Sequence, residues 1–214
     1  MEGLILSGRQ EFLEYIEEIE AIDGFYMDDR EDCDTVYDKN GEEIEFDCDY
    51  EIGASKAVIL FENCVMKIAF RGYYHKAEDG NFLISMNNYC AREVSFFKAA
   101  KREGVDKFFL KCRMISPEVE IQELGDIYSV PFPIVEEEEE DKIQKSFSKY
   151  ANEHMSLRVQ SVLRDYYNDN ELEKFCKFIE KYQINDLVFH NLAMKDGRAV
   201  FMDYSGYNEE IDYA

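Results

Sequence analysis

Residues 184–206, which read INDLVFHNLAMKDGRAVFMDYSG, contain the pattern on which the prediction of the fold depends. Two short apolar segments, 192–194 and 199–202, lie on either side of a polar tetrapeptide. The Asp196-Gly197 pair at its centre favours the positive φ angles of a two-residue type I′ turn. We therefore predict that the two segments pair as a β-hairpin.

Three side chains with oxygen atoms surround this hairpin: Asp186, Asn191 and Asp203. The hairpin would return Asp203 close to Asn191, with Asp186 one short loop away. Carboxylate and amide oxygens suit Mg²⁺, which keeps water molecules and substrate phosphates as its other ligands. We therefore predict that Asn191 and Asp203 bind Mg²⁺. The alternative is a hairpin with acidic ends and no ligand, a common feature in a chain with 47 Asp and Glu residues.

The composition predicts a folded protein with an acidic surface. Of the 214 residues, 46% are hydrophobic and 14% aromatic, which is sufficient for one large domain or two small lobes. The net charge of −23 argues against direct binding of nucleic acid or of an anionic membrane, since the field would repel both. A basic protein partner is compatible with this charge.

The cysteines and the N-terminus predict the compartment. The six cysteines are scattered without a Cys-x-x-Cys pair, which argues against a zinc site. The chain begins with a polar, acidic segment rather than a signal peptide, and it lacks an apolar run of the roughly 18 residues that span a membrane. We therefore predict a cytoplasmic protein with reduced cysteines and no membrane partner.

Residues 1–51 are predicted to be an acidic extension. Apolar residues at helical spacing predict a helix over 1–22, with Ser7 as its N-cap. The Asn40-Gly41 pair between two alternating segments predicts an acidic hairpin.

A pair of strands with one lysine follows this extension. Segments 57–61 and 64–70 are apolar and typical of strands, and Lys67 interrupts the second of them. An amine at such a position is costly unless it reaches the edge of the sheet or pairs with a carboxylate or phosphate. The loop before the first strand, 52–56, contains a single glycine.

A helix and two further strands are predicted next. Helical spacing covers 88–102 and ends at Gly104, with Glu93 beside its apolar stripe. Residues 71–88 are predicted to form a loop with a turn at Asp79-Gly80 and a candidate strand at 82–84. The later strands are predicted at 108–112 and 118–122.

The C-terminal part is predicted to be mostly helical. Helical spacing extends over 142–167, and it repeats over 172–179 with Asn170 as a candidate cap. The acidic run at 136–141 is predicted to be an exposed linker or the start of a helix.

Together these positions resemble the protein kinase-like superfamily. Its pattern H-R-D-x-x-x-x-N, followed after a hairpin by D-F-G, corresponds here to Asp186, Asn191 and residues 203–206. The lysine of its V-A-I-K strand corresponds to Lys67. Three departures are the Ile-Asn dipeptide in place of His-Arg, one inserted residue before Gly206, and a loop with one glycine instead of several.

The resemblance implies an α+β, two-lobe fold. Residues 52–125 would form an N-lobe around an antiparallel sheet, and residues 126–214 a small, mostly helical C-lobe. Only eight residues follow Gly206, so the activation segment and substrate-binding helices of a full protein kinase are not expected. Compact kinase-like proteins of bacteria and their phages are similar in this respect.

The resemblance also implies the roles of individual residues toward Mg-ATP. Lys67 would bind the α and β phosphates, Glu93 would position Lys67, with Glu103 as the alternative partner, and Asp186 would orient or deprotonate an acceptor hydroxyl. Asn191 and Asp203 would bind Mg²⁺. The remaining nucleotide contacts are expected from a phosphate loop and a hinge, namely Gly53, Ala54 and Ser55, and Gln122, Glu123 and Leu124.

Two functions remain open from the sequence. The first is an ATP-dependent phosphotransferase acting on a protein or small-molecule hydroxyl. The second is a catalytically weak or inactive kinase-fold protein whose acidic surface binds and inhibits a basic partner. The five polar positions favour the first function, whereas the reduced glycine loop and missing helices favour the second.

Overall fold

The computed structural model describes residues 25–28, 35–44, 50–53, 55–61, 64–77, 80–127 and 135–206. The helix predicted over 1–22, its cap Ser7 and the loop residue Ala54 lie outside these ranges. The described chain is an α+β protein that divides into two compact units. Described residues of the first unit fall within 25–94 and 112–123, and those of the second within 95–111 and 124–206.

The first unit contains ten described strands in two five-stranded sheets. In chain order the strands are β1 (Tyr26–Asp28), β2 (Val36–Tyr37), β3 (Glu43–Ile44), β4 (Tyr50–Ile52), β5 (Lys56–Leu60), β6 (Cys64–Ala69), β7 (Gly72–Ala77), β8 (Gly80–Ser85), β9 (Cys112–Met114) and β10 (Val119–Glu123). The first sheet has the order β3-β2-β1-β7-β8, and the second has the order β4-β5-β6-β10-β9. Neighbouring strands are antiparallel except β1 and β7.

Two predictions, one in each unit, were wrong, the first of them only in part. The segment 71–88, predicted as a loop apart from a strand at 82–84, forms the β7–β8 hairpin, whose six residue pairs run from Gly72↔Ser85 to Ala77↔Gly80. The predicted strand at 82–84 lies within β8. The strand expected at 108–112 is replaced by a 3-10 turn at Asp106–Phe108, and β9 starts only at Cys112. The reason is that Phe108 and Phe109 pack among aromatic rings of the second unit. The acidic hairpin is confirmed by the pairing of β2 with β3 and by the positive φ of Gly41, 79°.

The second sheet has two different buried faces. Alternate residues of β5, β6 and β10 belong to a hydrophobic core that also receives Phe25 and Val36. We call this the core face; its members are Ala57, Ile59, Met66, Ile68, Val119 and Ile121. Because successive side chains of a strand point to opposite faces, the residues between them form the opposite face. We call it the lysine face; its buried polar members are Lys56, Lys67, Glu120 and Gln122.

Helix α1 (Tyr89–Glu103) is confirmed within one residue of the predicted bounds. The Asn88 side chain accepts a hydrogen bond from the Ala91 amide, as an N-cap does. Gly104 ends the helix with a φ of 72°, the left-handed conformation that favours glycine. The division between the two units falls within this helix, after Val94.

The second unit contains four described helices that lie wholly within it. They are α2 (Glu137–Gln144), α3 (Lys149–His154), α4 (Leu157–Tyr166) and α5 (Asp169–Tyr182). The continuous helical spacing over 142–167 is therefore broken, because the Ser148 and Ser156 hydroxyls each cap a new helix. The cap of α5 is Asn168 rather than Asn170, and it forms a capping box with Glu171. None of the described helices is long and apolar enough to span a membrane.

A three-stranded sheet completes the described part of this unit. Its strands are β11 (Asp126–Ile127), β12 (Leu192–Lys195) and β13 (Arg198–Phe201), in that order. The predicted hairpin is confirmed, since β12 and β13 pair antiparallel from Leu192↔Phe201 to Lys195↔Arg198. Gly125 has to be glycine for steric reasons, because a Cβ atom there would lie 2.9 Å from the Ala193 Cβ.

Candidate functional site

Glu93 is the centre of a buried polar network in the first unit. The Lys67 ammonium nitrogen lies 2.7 Å from Glu93 Oε1, so the expected ion pair between strand and helix is present. The Gln122 side-chain amide donates to the same oxygen, also at 2.7 Å. The Glu93 side chain has no exposed surface, and that of Lys67 is 6% exposed. A buried carboxylate with these donors fixes the direction of the lysine.

The sequence did not indicate a second lysine in this network. Lys56 donates to Glu93 Oε2 at 2.7 Å, and its side chain is 4% exposed. In the prediction Lys56 was the end of the phosphate loop, whereas the structure makes it the first residue of β5. The signal for Lys56 was its position two residues before Val58. Val58 lies opposite Lys67, so Lys56 lies on the same face of the sheet as Lys67. Glu93 therefore accepts hydrogen bonds from two ammonium groups and one amide.

Glu120 is a second buried acid that the sequence analysis did not single out. It is completely buried and lies directly opposite Lys67 in the β6–β10 pair. Burial and then the negative charge of Glu93 raise its pKa from 4.5 to about 8, against the opposing effects of Lys67, Lys56 and the Cys112 thiol. Two carboxyl groups in different environments therefore meet at the lysine face, Glu120 of the sheet itself and Glu93 of α1.

The cysteines of the described ranges are buried thiols. Those described, Cys64, Cys90, Cys112 and Cys176, form no disulfide. The Cys90 thiol donates to the backbone carbonyl of Lys67 at 3.6 Å. Burial, followed by the charge of Glu120, raises the pKa of Cys90 well above its usual value. Burial also raises the pKa of Cys64 and Cys176, so these two thiols and Cys90 are poor nucleophiles.

The hairpin region of the second unit brings the other predicted site residues, Asp186, Asn191 and Asp203, close to one another. The turn residues Asp196 and Gly197 have φ angles of 50° and 72°, as a type I′ turn requires. The Met202 amide donates to the Asn191 carbonyl at 2.9 Å, so Asp203 is one residue beyond this pairing. The Asn191 side-chain amide donates to the Asp186 carbonyl at 3.0 Å.

This geometry suits a metal ligand at Asn191. Because the amide nitrogen is used by Asp186, the oxygen Oδ1 is the atom that can bind a cation. Asp203 is half-buried, and its Oδ1 accepts from the Ser205 hydroxyl at 3.2 Å. Within the described ranges, no three His, Cys, Asp or Glu side chains form a cluster suited to a metal. A site with one amide and one carboxylate would take its other ligands from water and phosphates.

Asp186 is exposed and has an unusual backbone conformation. Its φ of 60° is in the left-handed region, which costs a non-glycine residue about 1–2 kcal/mol. Aspartate tolerates this region better than most residues, and the conformation orients the carbonyl toward Asn191. Strained residues of this kind concentrate at functional sites.

Gly206 is packed tightly against Asn185, the residue that occupies the position of the motif's arginine. The φ of Gly206 is 69°, and a Cβ atom at this position would overlap the Asn185 side-chain oxygen. Tyr204 anchors the same segment, because its hydroxyl donates to the Leu110 carbonyl at 2.9 Å. The segment after β13 is therefore restrained on both sides of Ser205.

Replacing Gly206 by alanine is expected to lower the free energy of unfolding by roughly 1–3 kcal/mol. Gly197→Ala is the matched control, since Gly197 has a φ of 72° with no heavy atom within 4 Å of the added Cβ. Chemical denaturation gives the loss of unfolding free energy in each variant. The amount by which the loss in Gly206→Ala exceeds that in Gly197→Ala reports the contact with Asn185. Asn185→Ala in the same chain should reduce that excess. Equal costs for the two glycines would contradict this packing.

The two segments expected to contact nucleotide have the following geometry. The Gly53 amide donates to the Lys56 carbonyl at 2.9 Å. The Ser55 carbonyl accepts from the Phe70 amide. Gln122 is buried with its amide on Glu93, and the Leu124 carbonyl accepts from Lys195 at 2.9 Å. The chain passes from the first unit to the second between Glu123 and Leu124.

No known protein-family profile matches the sequence, and no curated protein matches it. The functional interpretation therefore depends on the geometry of the two groups of residues, Lys67 with Glu93 in one unit and Asp186, Asn191 and Asp203 in the other.

Proposed function

We propose that this chain is a protein kinase-like protein that binds Mg-ATP and transfers phosphate to a hydroxyl group. The observation that carries the proposal is the buried ion pair between Lys67 on a strand and Glu93 on a helix, at 2.7 Å. A strand lysine fixed by a helix glutamate is the arrangement that kinases use to bind the α and β phosphates. The type I′ hairpin between Asn191 and Asp203 gives it independent support.

Each residue has a separate task in this proposal. Lys67 binds phosphate and Glu93 fixes the lysine in place. Asn191 and Asp203 bind the metal ion, which bridges phosphate oxygens and neutralises their charge. Asp186 orients the acceptor hydroxyl. Because phosphoryl transfer depends mainly on positioning and charge neutralisation, these five side chains are sufficient in principle.

A second candidate function is a kinase-fold protein with little turnover that binds a basic protein. The specific observation in its favour is the near-complete burial of the Lys67 side chain, together with the second lysine on the same carboxylate. A phosphate group would have to compete with Glu93 for a lysine that is enclosed in this way. The net charge of −23 would steer a basic partner toward the surface.

Mg-ATP at a hundred times its dissociation constant is expected to raise the stability of the chain by roughly 2.7 kcal/mol. Thermal melting with and without Mg-ATP measures this effect. Lys67→Ala and Asp203→Ala should abolish it, because they remove a phosphate contact and a metal ligand. The controls are Lys177→Ala, whose side chain is 72% exposed in a pair with Glu173, and Asp165→Ala at another exposed position.

Catalysis is tested separately from binding. Asp186→Asn should retain the thermal shift and lose most phosphate transfer or release, measured with radiolabelled ATP. Absence of any shift in the wild-type protein at millimolar Mg-ATP would reject nucleotide binding and favour the binding of a basic partner. A shift without transfer in the wild-type protein would identify a nucleotide-binding protein without turnover.

A further inference from the structure

Glu120 is a buried acid to which the proposed reaction assigns no task. It lies opposite Lys67 on the neighbouring strand, and such pairs place their Cβ atoms about 5 Å apart on one face of the sheet. Its carboxyl group therefore shares the lysine face with the Lys67 ammonium group. Neither oxygen has a hydrogen-bond partner of ordinary geometry among the described residues. A fully buried polar group in this state calls for a specific explanation.

Several elements packed against Glu120 contribute a charged or titratable group. The groups that interact with it are Lys56 of β5, Lys67 of β6, Glu93 and Cys90 of α1, and Cys112 of β9. Its own strand contributes the neutral Gln122. The set contains two carboxyl groups and two amines.

The two carboxyl groups have unequal support for a negative charge. Glu93 accepts three hydrogen bonds, each of 2.7 Å, whereas Glu120 accepts none of ordinary geometry within the described residues. Two buried acids that share the same neighbours do not ionise together easily. Hydrogen bonding thus favours a negative charge on Glu93, whereas burial and the charge of Glu93 raise the pKa of Glu120 to about 8.

We propose that Glu120 is a positioning residue for Lys67, which binds Glu93 while Glu120 is neutral and is drawn to Glu120 when that acid ionises. The relevance of this exchange to nucleotide binding rests on the proposed function. Lys56 and Gln122 make the exchange feasible, because Glu93 keeps two donors when Lys67 turns away. A pKa of about 8 for Glu120 brings this exchange into an accessible pH range.

The exchange is tested first without any nucleotide. The ¹⁵N resonance of the Lys67 side chain, assigned with Lys67→Arg, is followed from pH 6 to pH 10. We expect a titration with a midpoint near 8 in the wild-type protein and none in Glu120→Gln. Glu118→Gln is the control, since Glu118 is an acid of the same segment that pairs with Arg71, whose side chain is 42% exposed. A wild-type Lys67 signal that does not titrate overturns the inference, even if the variant fails to fold.

The second measurement is the affinity for Mg-ATP across the same pH range. If nucleotide binds only the form with neutral Glu120, the dissociation constant should rise about tenfold per pH unit above the midpoint. Glu120→Gln should remove this rise, and Glu118→Gln should retain it. A Lys67 titration with unchanged Mg-ATP affinity would overturn the positioning role. If the wild-type protein binds no Mg-ATP at any pH, the proposed function fails, while the resonance of Lys67 still decides the exchange.

Discussion

Replacing Glu93 by glutamine is expected to lower the free energy of unfolding of the chain by roughly 3–5 kcal/mol, the usual cost of leaving a buried charge without its partner. Glu93 accepts from Lys56, Lys67 and Gln122, and it has no exposed surface. Glutamine has one acceptor oxygen, and its amide group would face a donor. Two ammonium groups would then lose a neutralising charge. Urea denaturation followed by circular dichroism measures the loss, since the chain has no tryptophan.

Glu103 provides a control on the same helix. Its carboxylate accepts from Lys181 and Tyr182, but its side chain is 31% exposed, and that of Lys181 is 60% exposed. Glu103→Gln is therefore expected to cost less than about 1 kcal/mol. Changing Glu93, Lys56 and Lys67 together to methionine should recover much of the loss, because an apolar replacement leaves no buried charge. A small effect of Glu93→Gln alone would show that the network contributes little.

The stability of the wild-type protein is expected to fall as the pH rises from about 4.5 to about 8, because of Glu120. In this range the folded state keeps the proton on Glu120, whereas the unfolded state has lost it. The folded state therefore binds more protons, and the free energy of unfolding falls with increasing pH. One such group contributes a slope of about 1.4 kcal/mol per pH unit. The contribution is complete below the unfolded pKa and is lost once the pH exceeds the folded pKa.

Glu120→Gln isolates this contribution. Glutamine has nearly the same shape as a protonated glutamate and does not titrate, so all other groups cancel in the comparison. The stability of the wild-type protein minus that of the variant should fall by about 1.4 kcal/mol per pH unit between pH 5 and pH 7.5. Denaturation curves at several pH values give this difference. A difference that does not vary with pH would mean that Glu120 is already ionised in the folded protein.

Two features that depend on a few neighbouring residues, the hairpin turn and the end of α1, were predicted correctly. The Asp196-Gly197 pair specified its turn, since both residues accept the positive φ angles that the hairpin needs. The end of α1 at Gly104 was recognisable for the same reason. The ion pair of Lys67 with Glu93 was anticipated through a family pattern, and periodicity alone did not indicate it.

Features that depend on distant partners were missed. The β7–β8 hairpin is stabilised by pairing between two strands over six positions. The sequence alone indicated only one short apolar segment there. One kind of local feature was missed as well, since helical spacing over 142–167 did not reveal the capped helix starts at Ser148 and Ser156, across which the apolar periodicity continues. Phe109 was taken for a strand residue, whereas its ring packs against Tyr204, 95 positions further along the chain.

The amino-acid order alone specified the residue types of the candidate site and their offsets around a local turn, because turns and caps depend on interactions within a few residues. It did not specify that Lys56 joins Lys67 on Glu93, nor that Glu120 faces Lys67. Those neighbours follow from the pairing register of β5, β6 and β10, in which β10 comes 50 residues after β6 in the chain. A shift of one residue in that register would move Glu120 to the opposite face, so only the assembled sheet determines which acid meets which amine.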